Sequence, residues 1–464
     1  MYGFRLPKDF LIGTANSAFQ SEGAWDRDGK AESIMEYYAK EYAGKYPGGM
    51  TEEEAKAKNK PSYSEEMPDR GCFFYDNYEA YIEDMQKTGQ NTYRMSLAWP
   101  RIIPTGVGKV NQAAIDYYNK VIDKLLACGI EPFVDLYHWD LPQCLQEKGG
   151  FLNPQFPEWF EGYAKVCFEA FGDRVKLWST FNETQISVYS GYCMATFPPF
   201  IKDRKSSILA GHYCLLGHFR AVRLYKSMDL GGKIGAVNCI SAIMPAHMLE
   251  EDYQAAELRK EWSFGWWTGP MLEGTYPQSV LRNCPELQAY MPDHYQEDLD
   301  KWFMPMDFVG INYYVANRTQ YDPDNILKST PVQSFYSAPG QKFAPYPAGL
   351  FDVVQYIGER YHNVEMYITE NGCALTNQNN EEAECDDPER ITYLREHIRM
   401  VCRLLRCGYN LKGYYYWNDA DSYEELDGYN LRFGLTWVNH KTGERRWKKS
   451  RYYFSEICKT RLID

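Results

Sequence analysis

Two glutamates, Glu183 and Glu370, occupy positions where chemistry is expected. Each closes an apolar run, "LWSTFN" and "MYIT", and each has an asparagine neighbour, Asn182 or Asn371. Two carboxylates over one cleft fit glycoside hydrolysis, in which one carboxyl protonates the leaving oxygen and the other attacks or activates water. A separation of about 5–5.5 Å gives retention of configuration and a larger one gives inversion. The residues alone therefore make glycosidase chemistry one of several possibilities.

The elements that must position these acids recur along the chain. Short segments that are apolar on both faces alternate with stretches of helical character. The predicted strands are residues 10–15, 91–98, 131–138, 175–182, 233–239, 307–314, 365–371 and 411–417. Predicted helices at 111–129 and 388–408 both end in Gly, a common helix stop. Strands covered on both faces and separated by helices are typical of parallel sheets. Eight such units predict an α/β fold, a (β/α)₈ TIM barrel with extended βα loops.

The pattern continues without a linker or a repeat, which predicts a single catalytic domain over residues 1–464. A charged stretch rich in Gly and Pro, at about 36–70, follows the first strand and is predicted to be a surface-loop insertion. Because loops after barrel strands lie on the catalytic side, this insertion either shapes the cleft entrance or is a tolerated surface addition.

Polar residues lie at or near the carboxyl ends of nearly every predicted strand. They are Glu22, Arg94, His138, Asn182, Glu183, Asn312, Glu370 and, after the last strand, Asp419, Asp421, Glu424 and Glu425. A core histidine or a capping acid would explain any one of them. In a barrel the catalytic groups come from the carboxyl ends of the strands, so we expect these side chains to converge on one cleft.

The motifs "TFNE" (180–183) and "ITENG" (368–372) resemble the acid/base and nucleophile motifs of glycoside hydrolase family 1, the β-glucosidase-like retaining enzymes. The likeness continues in order along the chain. It includes "QSEG" (20–23), "YRMSLAWPRI" (93–102), "LYHWDLP" (136–142), "GTYP" (274–277), "GINYY" (310–314) and "GYNLRFGL" (428–435). Each motif is weak alone, but the series is specific.

The resemblance implies a role for each matching residue. Glu183 would be the general acid/base, kept protonated near neutral pH by a partly apolar site and by the negative charge of Glu370. Glu370 would be the nucleophile, with Arg94 beside it and Tyr314 donating a hydrogen bond to it. The implied sugar-binding residues are Gln20, His138, Asn182, Asn312, Trp417, Glu424 and Glu425. Asn182 is expected at the sugar 2-hydroxyl and Trp417 as the stacking floor, whereas Trp99 and Trp139 are expected to be packing residues.

The stretch "WNDADSYEE" (417–425) bears on the sugar that is bound. Family members that act on 6-phosphosugars usually carry Ser in place of Glu424, and Lys-Arg-Tyr in place of "LRF" (431–433). A phosphate beside Glu424 would meet like-charge repulsion, so a non-phosphorylated β-glucoside is predicted. Glu425 replaces a tryptophan. It either turns to solvent or changes the glycone preference, for example to galactose, fucose or a cationic sugar.

Bulk composition limits the possible partners. A net charge of −13 argues against nucleic acid, and the chain has no run of about 18 apolar residues that would suggest a membrane span. Its thirteen cysteines have neither C-x-x-C pairing nor zinc spacing, and the start lacks a secretory pattern. We therefore expect a cytoplasmic enzyme that needs no metal or cofactor and acts on a small-molecule β-glycoside. The oligomeric state is not predicted.

Three other functions are weighed against this one. A non-catalytic sugar-binding member of the same fold would be expected to lack one of the two glutamates. A metal-dependent isomerase or phosphate-binding lyase would need a metal set or a Gly-rich phosphate loop after the last strands, and neither is evident. Glycosyl transfer to an alcohol or a sugar would use the same two glutamates, so it stays open.

Overall fold

The computed structural model of the chain describes residues 4–46, 50–57, 62–332, 345–375, 385–424 and 427–464. Its strands are β1 (Phe4–Arg5), β2 (Leu11–Ala15), β3 (Thr92–Ser96), β4 (Glu131–Tyr137), β5 (Leu177–Asn182), β6 (Lys233–Cys239), β7 (Ala242–Pro245), β8 (Phe308–Asn312), β9 (Ala316–Tyr321), β10 (Ser329–Val332), β11 (Glu365–Asn371), β12 (Leu411–Trp417), β13 (Thr436–Val438), β14 (Arg445–Trp447) and β15 (Leu462–Ile463).

The α-helices are α1 (Ala18–Ser21), α2 (Ile34–Tyr42), α3 (Glu52–Ala57), α4 (Phe74–Thr88), α5 (Trp99–Ile102), α6 (Gln112–Ala127), α7 (Gln143–Gln146), α8 (Phe156–Phe171), α9 (Thr184–Val188), α10 (Arg204–Ser227), α11 (Glu250–Lys260), α12 (Trp266–Glu273), α13 (Gln278–Asn283), α14 (Pro285–Gln288), α15 (Tyr295–Trp302), α16 (Pro347–Arg360), α17 (Pro388–Arg406) and α18 (Lys449–Thr460). A 3₁₀ turn lies at Gly150–Leu152, and π-helical turns lie at Tyr189–Cys193 and Glu261–Gly265. No helix in the described ranges combines the length and the apolar character that a membrane crossing requires.

Eight parallel strands close into one barrel in the order β2-β3-β4-β5-β6-β8-β11-β12, with β12 returning to β2. This confirms the predicted (β/α)₈ barrel, and all eight predicted strands are present within a few residues of their expected ends. The register pairs Ala15 with Arg94 on one side and with Trp417 on the other. The carboxyl ends of the strands therefore meet at one rim, where the polar residues follow.

The interior of the barrel below that rim is filled by aromatic side chains. Phe133, Phe308, Tyr367 and Tyr415 meet edge to face, with ring centroids 5.0 Å apart for Phe308 and Tyr367 and 5.6 Å for Phe133 and Tyr415. Such edge-on contacts are favourable between aromatic rings. These rings therefore pack the barrel interior beneath the carboxyl rim.

The helices that cover the barrel begin and end as their sequences predict. Helix α6 is followed by Gly129 at φ +73°, and α17 by Gly408 at φ +86°. A left-handed residue just past a helix is the usual place for glycine, which adopts it without a Cβ penalty. Pro388 opens α17, where its missing N–H is not needed.

The inserted segment at 36–70 is not the plain loop that was predicted, because α2 extends into it and α3 lies within it. Its described part packs on the carboxyl rim. The Tyr423 hydroxyl donates to the carbonyl of Glu66 at 3.1 Å, and the Tyr429 amide donates to Glu66 Oε2 at 2.7 Å. Tyr63 also reaches the carbonyl of Thr196 at 2.9 Å. These contacts support a role in shaping the cleft entrance.

Two small sheets complete the fold. One joins β7, β9 and β10 beside the barrel, and the other pairs β1 with β15 and so ties the two chain ends together. The barrel strands span residues 11 to 417 of the chain. This agrees with a single catalytic domain, which stays a prediction.

Candidate active site

The strand ends place both glutamates at the carboxyl rim. Glu370 is the penultimate residue of β11, and Glu183 directly follows β5 in a left-handed conformation at φ +50°. Their exposed fractions are 4% and 6%. Non-glycine residues adopt positive φ at a cost and often do so at functional sites. The turn at Glu183 redirects the chain from the strand into α9.

Glu370 is bound by two donors. Arg94 Nη1 lies 2.7 Å from Oε1, and the Tyr314 hydroxyl lies 2.7 Å from Oε2. Burial raises the pKa of Tyr314 well above its usual value, and the negative charge of Glu370 raises it further. The Tyr314 hydroxyl therefore stays protonated and donates a hydrogen bond to Glu370. Hydrogen bonds of this kind stabilise the charged form of a carboxylate.

Arg94 is completely buried and serves two acids. Its Nη2 lies 2.5 Å from Asp135 Oδ2 and 2.7 Å from Asn182 Oδ1. Burial alone would lower the pKa of Arg94, but the carboxylates of Asp135 and Glu370 outweigh that and raise it. Asp135 was not among the predicted site residues. The signal was there, because an acid inside the apolar strand "EPFVDLYH" needs a buried cation.

Glu183 has a different environment. Its Oε1 accepts a hydrogen bond from Asn312 Nδ2 at 2.8 Å. Burial raises the pKa of Glu183 well above its usual value, and the nearby charge of Glu370 adds to this, while Asn312 and Arg94 oppose it less strongly. The environments of the two carboxyls thus differ: a guanidinium and a phenol contact Glu370, whereas burial and the charge of Glu370 favour the protonated form of Glu183.

A continuous hydrogen-bond chain fixes the two carboxyls relative to each other. It runs from Glu370 through Arg94 to Asn182 Oδ1, which also accepts from Asn312 Nδ2 at 3.0 Å. Asn312 then reaches Glu183, and its own Oδ1 accepts from the Thr369 hydroxyl at 2.8 Å. Each amide orientation is set by its neighbours, so the site is preorganised.

The carboxyls face a cavity of about 360 Å³, here called the catalytic cavity. Its lining residues are Gln20, His138, Trp139, Asn182, Glu183, Ile186, Phe197, Cys239, Ser241, Tyr314, Val315, Glu370, Trp417, Glu424, Asp427 and Phe433. The volume lies in the range of small-molecule sites. Convergence of the predicted sugar-binding residues Gln20, His138, Asn182, Trp417 and Glu424 on one cavity is therefore observed.

Neighbours within the cavity wall hold these side chains. His138 Nε2 lies 3.0 Å from Asn182 Nδ2, and its ring stacks on the Trp417 indole with centroids 5.6 Å apart. Gln20 Nε2 donates to the carbonyl of Tyr423 at 3.0 Å. A flat indole beside amide, imidazole and carboxylate groups suits a sugar ring, which presents both apolar faces and hydroxyls.

Several expectations do not match the structure. Asp419 and Asp421 do not line the cavity: Asp419 pairs with the buried Arg451, and Asp421 pairs with the buried Arg432 and Lys448. Asn312 does not line the cavity; it is fully buried and holds Glu183 from behind. Trp139 does line the cavity, although it was expected only to pack, and its Nε1 donates to the carbonyl of Asn182 at 3.1 Å. Glu22 points away and accepts from Tyr118 at 2.7 Å and from Arg101 at 3.0 Å. Trp99 is buried against Tyr163, as expected.

The remaining lining residues come from several kinds of element. Glu425 falls outside the described residues. Ile186 in α9, Cys239 at the end of β6, and Phe197, Ser241, Val315 and Asp427 in loops line the cavity but were not predicted, because no motif or periodic signal marks them. The need for no metal or cofactor stays a prediction.

Comparisons with known proteins agree with this geometry. The sequence model of "Glycosyl hydrolase family 1" matches residues 3–462. Beta-glucosidase A of Thermotoga maritima is 35% identical over 461 residues, 99% of each chain. The 6-phospho-beta-glucosidase GmuD of Bacillus subtilis is 34% identical over 471 residues, 98% of each chain.

Solved structures agree as well. The family 1 β-glucosidase of T. maritima, also solved with a cyclophellitol analogue transition state mimic, aligns with a TM-score of 0.91 at 34% identity and covers 100% of both chains. A match of this extent, on a barrel that brings Glu183 and Glu370 together, shows that the chain belongs to glycosyl hydrolase family 1 and is a glycoside hydrolase of its retaining, β-glucosidase-like type.

Proposed function

We propose that the protein hydrolyses non-phosphorylated β-glucosides by double displacement, with Glu370 as nucleophile and Glu183 as acid/base. One observation carries the assignment of roles. Glu370 accepts hydrogen bonds from a guanidinium and a phenol, whereas the buried Glu183 is contacted by neutral groups, the amide of Asn312 and the thiol of Cys239. The first environment favours a carboxylate and the second favours a carboxylic acid.

In the first step Glu370 attacks the anomeric carbon while Glu183 gives its proton to the departing glycosidic oxygen. The C–O bond to the leaving group breaks and a glycosyl ester of Glu370 forms. Asn182, held by Arg94 and Asn312, presents its Nδ2 at the cavity wall for the sugar 2-hydroxyl. Contacts at that hydroxyl strengthen in the transition state.

In the second step water attacks the anomeric carbon and Glu183 takes the proton. Esterification has by then removed the charge of Glu370, which was one cause of the raised pKa of Glu183. The pKa of Glu183 therefore falls when a base is needed and rises again when Glu370 is released. The repulsion between Glu183 and Glu370 thus allows Glu183 to donate a proton in the first step and to accept one in the second.

The charge of the cavity supports a non-phosphorylated glycone. Glu183, Glu370, Glu424 and Asp427 line it, and none of its described lining residues is Lys or Arg. Arg432, the basic residue of the "LRF" stretch, is buried and lies 2.8 Å from Asp421. A phosphate here would meet uncompensated repulsion. We therefore assign this chain a different glycone from the one named for the B. subtilis relative.

The ligand proposed is a small-molecule β-glycoside, with neither nucleic acid nor a membrane as partner. A reducing compartment such as the cytoplasm is proposed as well. In support, all thirteen cysteines are free thiols, and most of them are buried. Free thiols persist where the medium keeps them reduced.

The test uses initial rates on 4-nitrophenyl β-glycosides (glucoside, galactoside, fucoside and 6-phosphoglucoside) with Glu370→Gly and Glu183→Gly variants. Each variant is then supplied with azide and a 2,4-dinitrophenyl glucoside. Without Glu370, azide attacks from the vacated face and gives the α-glycosyl azide. Without Glu183, azide attacks the glycosyl ester from the opposite face and gives the β-glycosyl azide. The reverse pattern would exchange the roles, and a preference for the 6-phosphoglucoside would refute the glycone assignment.

A further inference from the structure

A second cavity adjoins the catalytic cavity and takes no part in the proposed chemistry. It measures about 350 Å³ and is here called the side cavity. Its wall is defined by Trp262, Trp266 and Trp267 with Tyr189, Arg259 and Arg318. Ile186, Cys239 and Ser241 line both cavities, so the two adjoin at these residues.

The residues shared by the two cavities lie beside the proposed acid. Ile186 follows the proposed acid Glu183 by one turn of α9, and its amide donates to the carbonyl of Glu183 at 2.9 Å. Since Glu183 protonates the departing oxygen, the aglycone leaves past this wall. A long aglycone that passes Ile186, Cys239 and Ser241 would enter the side cavity.

The side cavity contains a cation, Arg259, that has no acidic partner among the described residues. Among the described residues we find no hydrogen bond, ion pair or aromatic ring contact to the guanidinium of Arg259. None of the described lining residues is Asp or Glu. Burial lowers the pKa of Arg259; Tyr189 opposes this lowering in part, and the nearby Arg204 adds to it. Nη1 of Arg204 is itself buried without a partner in the described chain.

A half-buried cation without a counter-ion costs free energy unless a ligand supplies the charge. Arg318, the second arginine of the wall, donates to the carbonyl of Ala246. The electrostatic potential in this part of the side cavity is therefore positive, because Arg259 and the nearby Arg204 both contribute positive charge. An anion placed here would form a charge-assisted hydrogen bond with the guanidinium.

The rest of the wall is aromatic. The rings of Trp262 and Trp266 lie 5.0 Å apart, and Trp266 packs on Tyr276 at 4.6 Å. Trp266 is therefore fixed from behind, while Trp262 and Trp267 are only partly buried. Indole surfaces of this kind bind flat apolar groups. An anionic ligand for this cavity should also have an aromatic body.

We propose that the side cavity binds the distal part of a β-glycoside whose aglycone is elongated, aromatic and carries a carboxylate, with Arg259 as the partner of that carboxylate. The inference rests on the proposed function, because it assigns the leaving group of the same reaction. It makes Arg259 a determinant of substrate choice that lies outside the catalytic cavity.

The experiment compares two substrates that differ only at their distal end. One is a biphenyl-4-yl β-glycoside with a 4′-carboxylate and the other carries a neutral 4′-carboxamide. The glycone is whichever gives the fastest 4-nitrophenyl glycoside. Because the substituent is one ring away from the phenol oxygen, the leaving groups have nearly equal acidity. The readout is the ratio of kcat/KM for the carboxylate to kcat/KM for the carboxamide.

Wild-type protein should favour the carboxylate by about tenfold to hundredfold, the range of a hydrogen bond to a charged group. Arg259→Gln should bring the ratio close to one, and Arg259→Lys should retain part of it. Arg282→Gln, which removes an exposed arginine of α13 away from both cavities, is the matched control and should keep the wild-type ratio. Melting temperatures of all variants show whether each is folded.

Three results would overturn the inference while the proposed function stands. They are a wild-type ratio near one, a ratio that Arg259→Gln leaves unchanged, and no cleavage of either biphenyl substrate by protein that cleaves the 4-nitrophenyl glycoside. If no β-glycoside of any kind is cleaved, the proposed function and the inference both fail.

Discussion

The catalytic cavity and the side cavity have nearly the same volume, about 360 and 350 Å³, but opposite charge. Acids line the first, and among the described lining residues of the second the charged ones are the arginines Arg259 and Arg318. In the catalytic cavity Glu370 has its own charged partner, Arg94, which is completely buried behind the wall. In the side cavity Arg259 has none in the described chain. The carboxylate of Glu370, which is paired with Arg94 inside the protein, serves the reaction. The guanidinium of Arg259, which has no acidic partner in the described chain, is available to bind a ligand.

The difference follows from the elements that build each cavity. Strand ends of the barrel position Arg94, Asn182, Asn312 and Glu370, and hydrogen bonds between strands fix those ends. The side cavity is built largely beyond the barrel strands, from α9, α11, α12 and the small sheet of β7 and β9. Loops and added helices tolerate variation that barrel strands do not. Substrate choice is therefore expected to vary in the side cavity while the chemistry stays constant.

The largest effect is expected from Glu183→Gln, which removes the proton donor of the catalytic cavity. General acid catalysis contributes about 10²–10⁴-fold, so kcat/KM on a 4-alkylphenyl glucoside should fall by that amount. A 2,4-dinitrophenyl glucoside needs little protonation and should lose much less in the first step. Equal losses on both substrates would contradict the acid role.

The pH profile tests the same residue in the wild-type protein. The pKa of Glu183 is raised by burial and by Glu370 above its ordinary value of 4.5. The protonated acid therefore persists above that pH and is lost as the pH rises through the raised pKa. We expect kcat/KM to fall there, and Glu183→Gln to lack this alkaline limb. A limb that persists in Glu183→Gln would belong to another group.

Arg94→Met is expected to have the next largest effect, because it leaves Asp135 and Glu370 buried without their shared cation. Breaking such a pair costs about 3–5 kcal/mol of unfolding free energy. The deficit, measured by denaturant unfolding, should shrink at low pH, where protonated carboxyls need no cation. Arg282→Gln serves again as the exposed control. A variant as stable as wild type at pH 7 would mean that the buried charges are not coupled as described.

The sequence predicted the catalytic cavity far better than the side cavity. Strand spacing located the barrel, and Glu183, Glu370, Arg94 and Tyr314 were assigned by motifs whose residues meet in the structure. The periodicity of the sequence and the spacing of its motifs do not distinguish a polar residue that lines a cavity from one that hydrogen-bonds to a cavity residue. Asn312 was therefore predicted to bind the sugar, although it is fully buried and donates a hydrogen bond to Glu183.

The side cavity could not be predicted, because its wall comes from segments distant in sequence. Arg259 sits in "ELRKEWS", which reads as an ordinary charged helix end. Only tertiary structure shows that this arginine lacks an acid among the described residues and that Trp262 lies beside it in the same wall. The inserted segment gave a similar difficulty, because its charge and glycines suggested a loop although α2 and α3 form there.

A phosphate provides a sharper test of the acidic cavity. Like charges brought together in a binding site cost several kcal/mol, so kcat/KM for the glucoside should exceed that for its 6-phosphate by about a hundredfold or more. Glu424→Ser removes one of the facing carboxylates and should narrow the ratio. Glu53→Ser on exposed α3 is a control for loss of one negative charge. A ratio near one would remove the electrostatic contrast between the two cavities.

The smallest expected effect is a difference in how the two cavities respond to salt. Raising NaCl from 0.1 to 1 M shortens the screening length from about 10 to 3 Å. The carboxylate-to-carboxamide ratio should fall a few-fold, because Arg259 is only partly buried and its attraction to the ligand is screened. The alkaline limb of the pH profile should move little, because Glu183 and Glu370 are 6% and 4% exposed and interact inside the protein. A limb that moves while the ratio stays constant would reverse the comparison: solvent would then reach the catalytic carboxyls, and Arg259 would not bind the carboxylate through its charge.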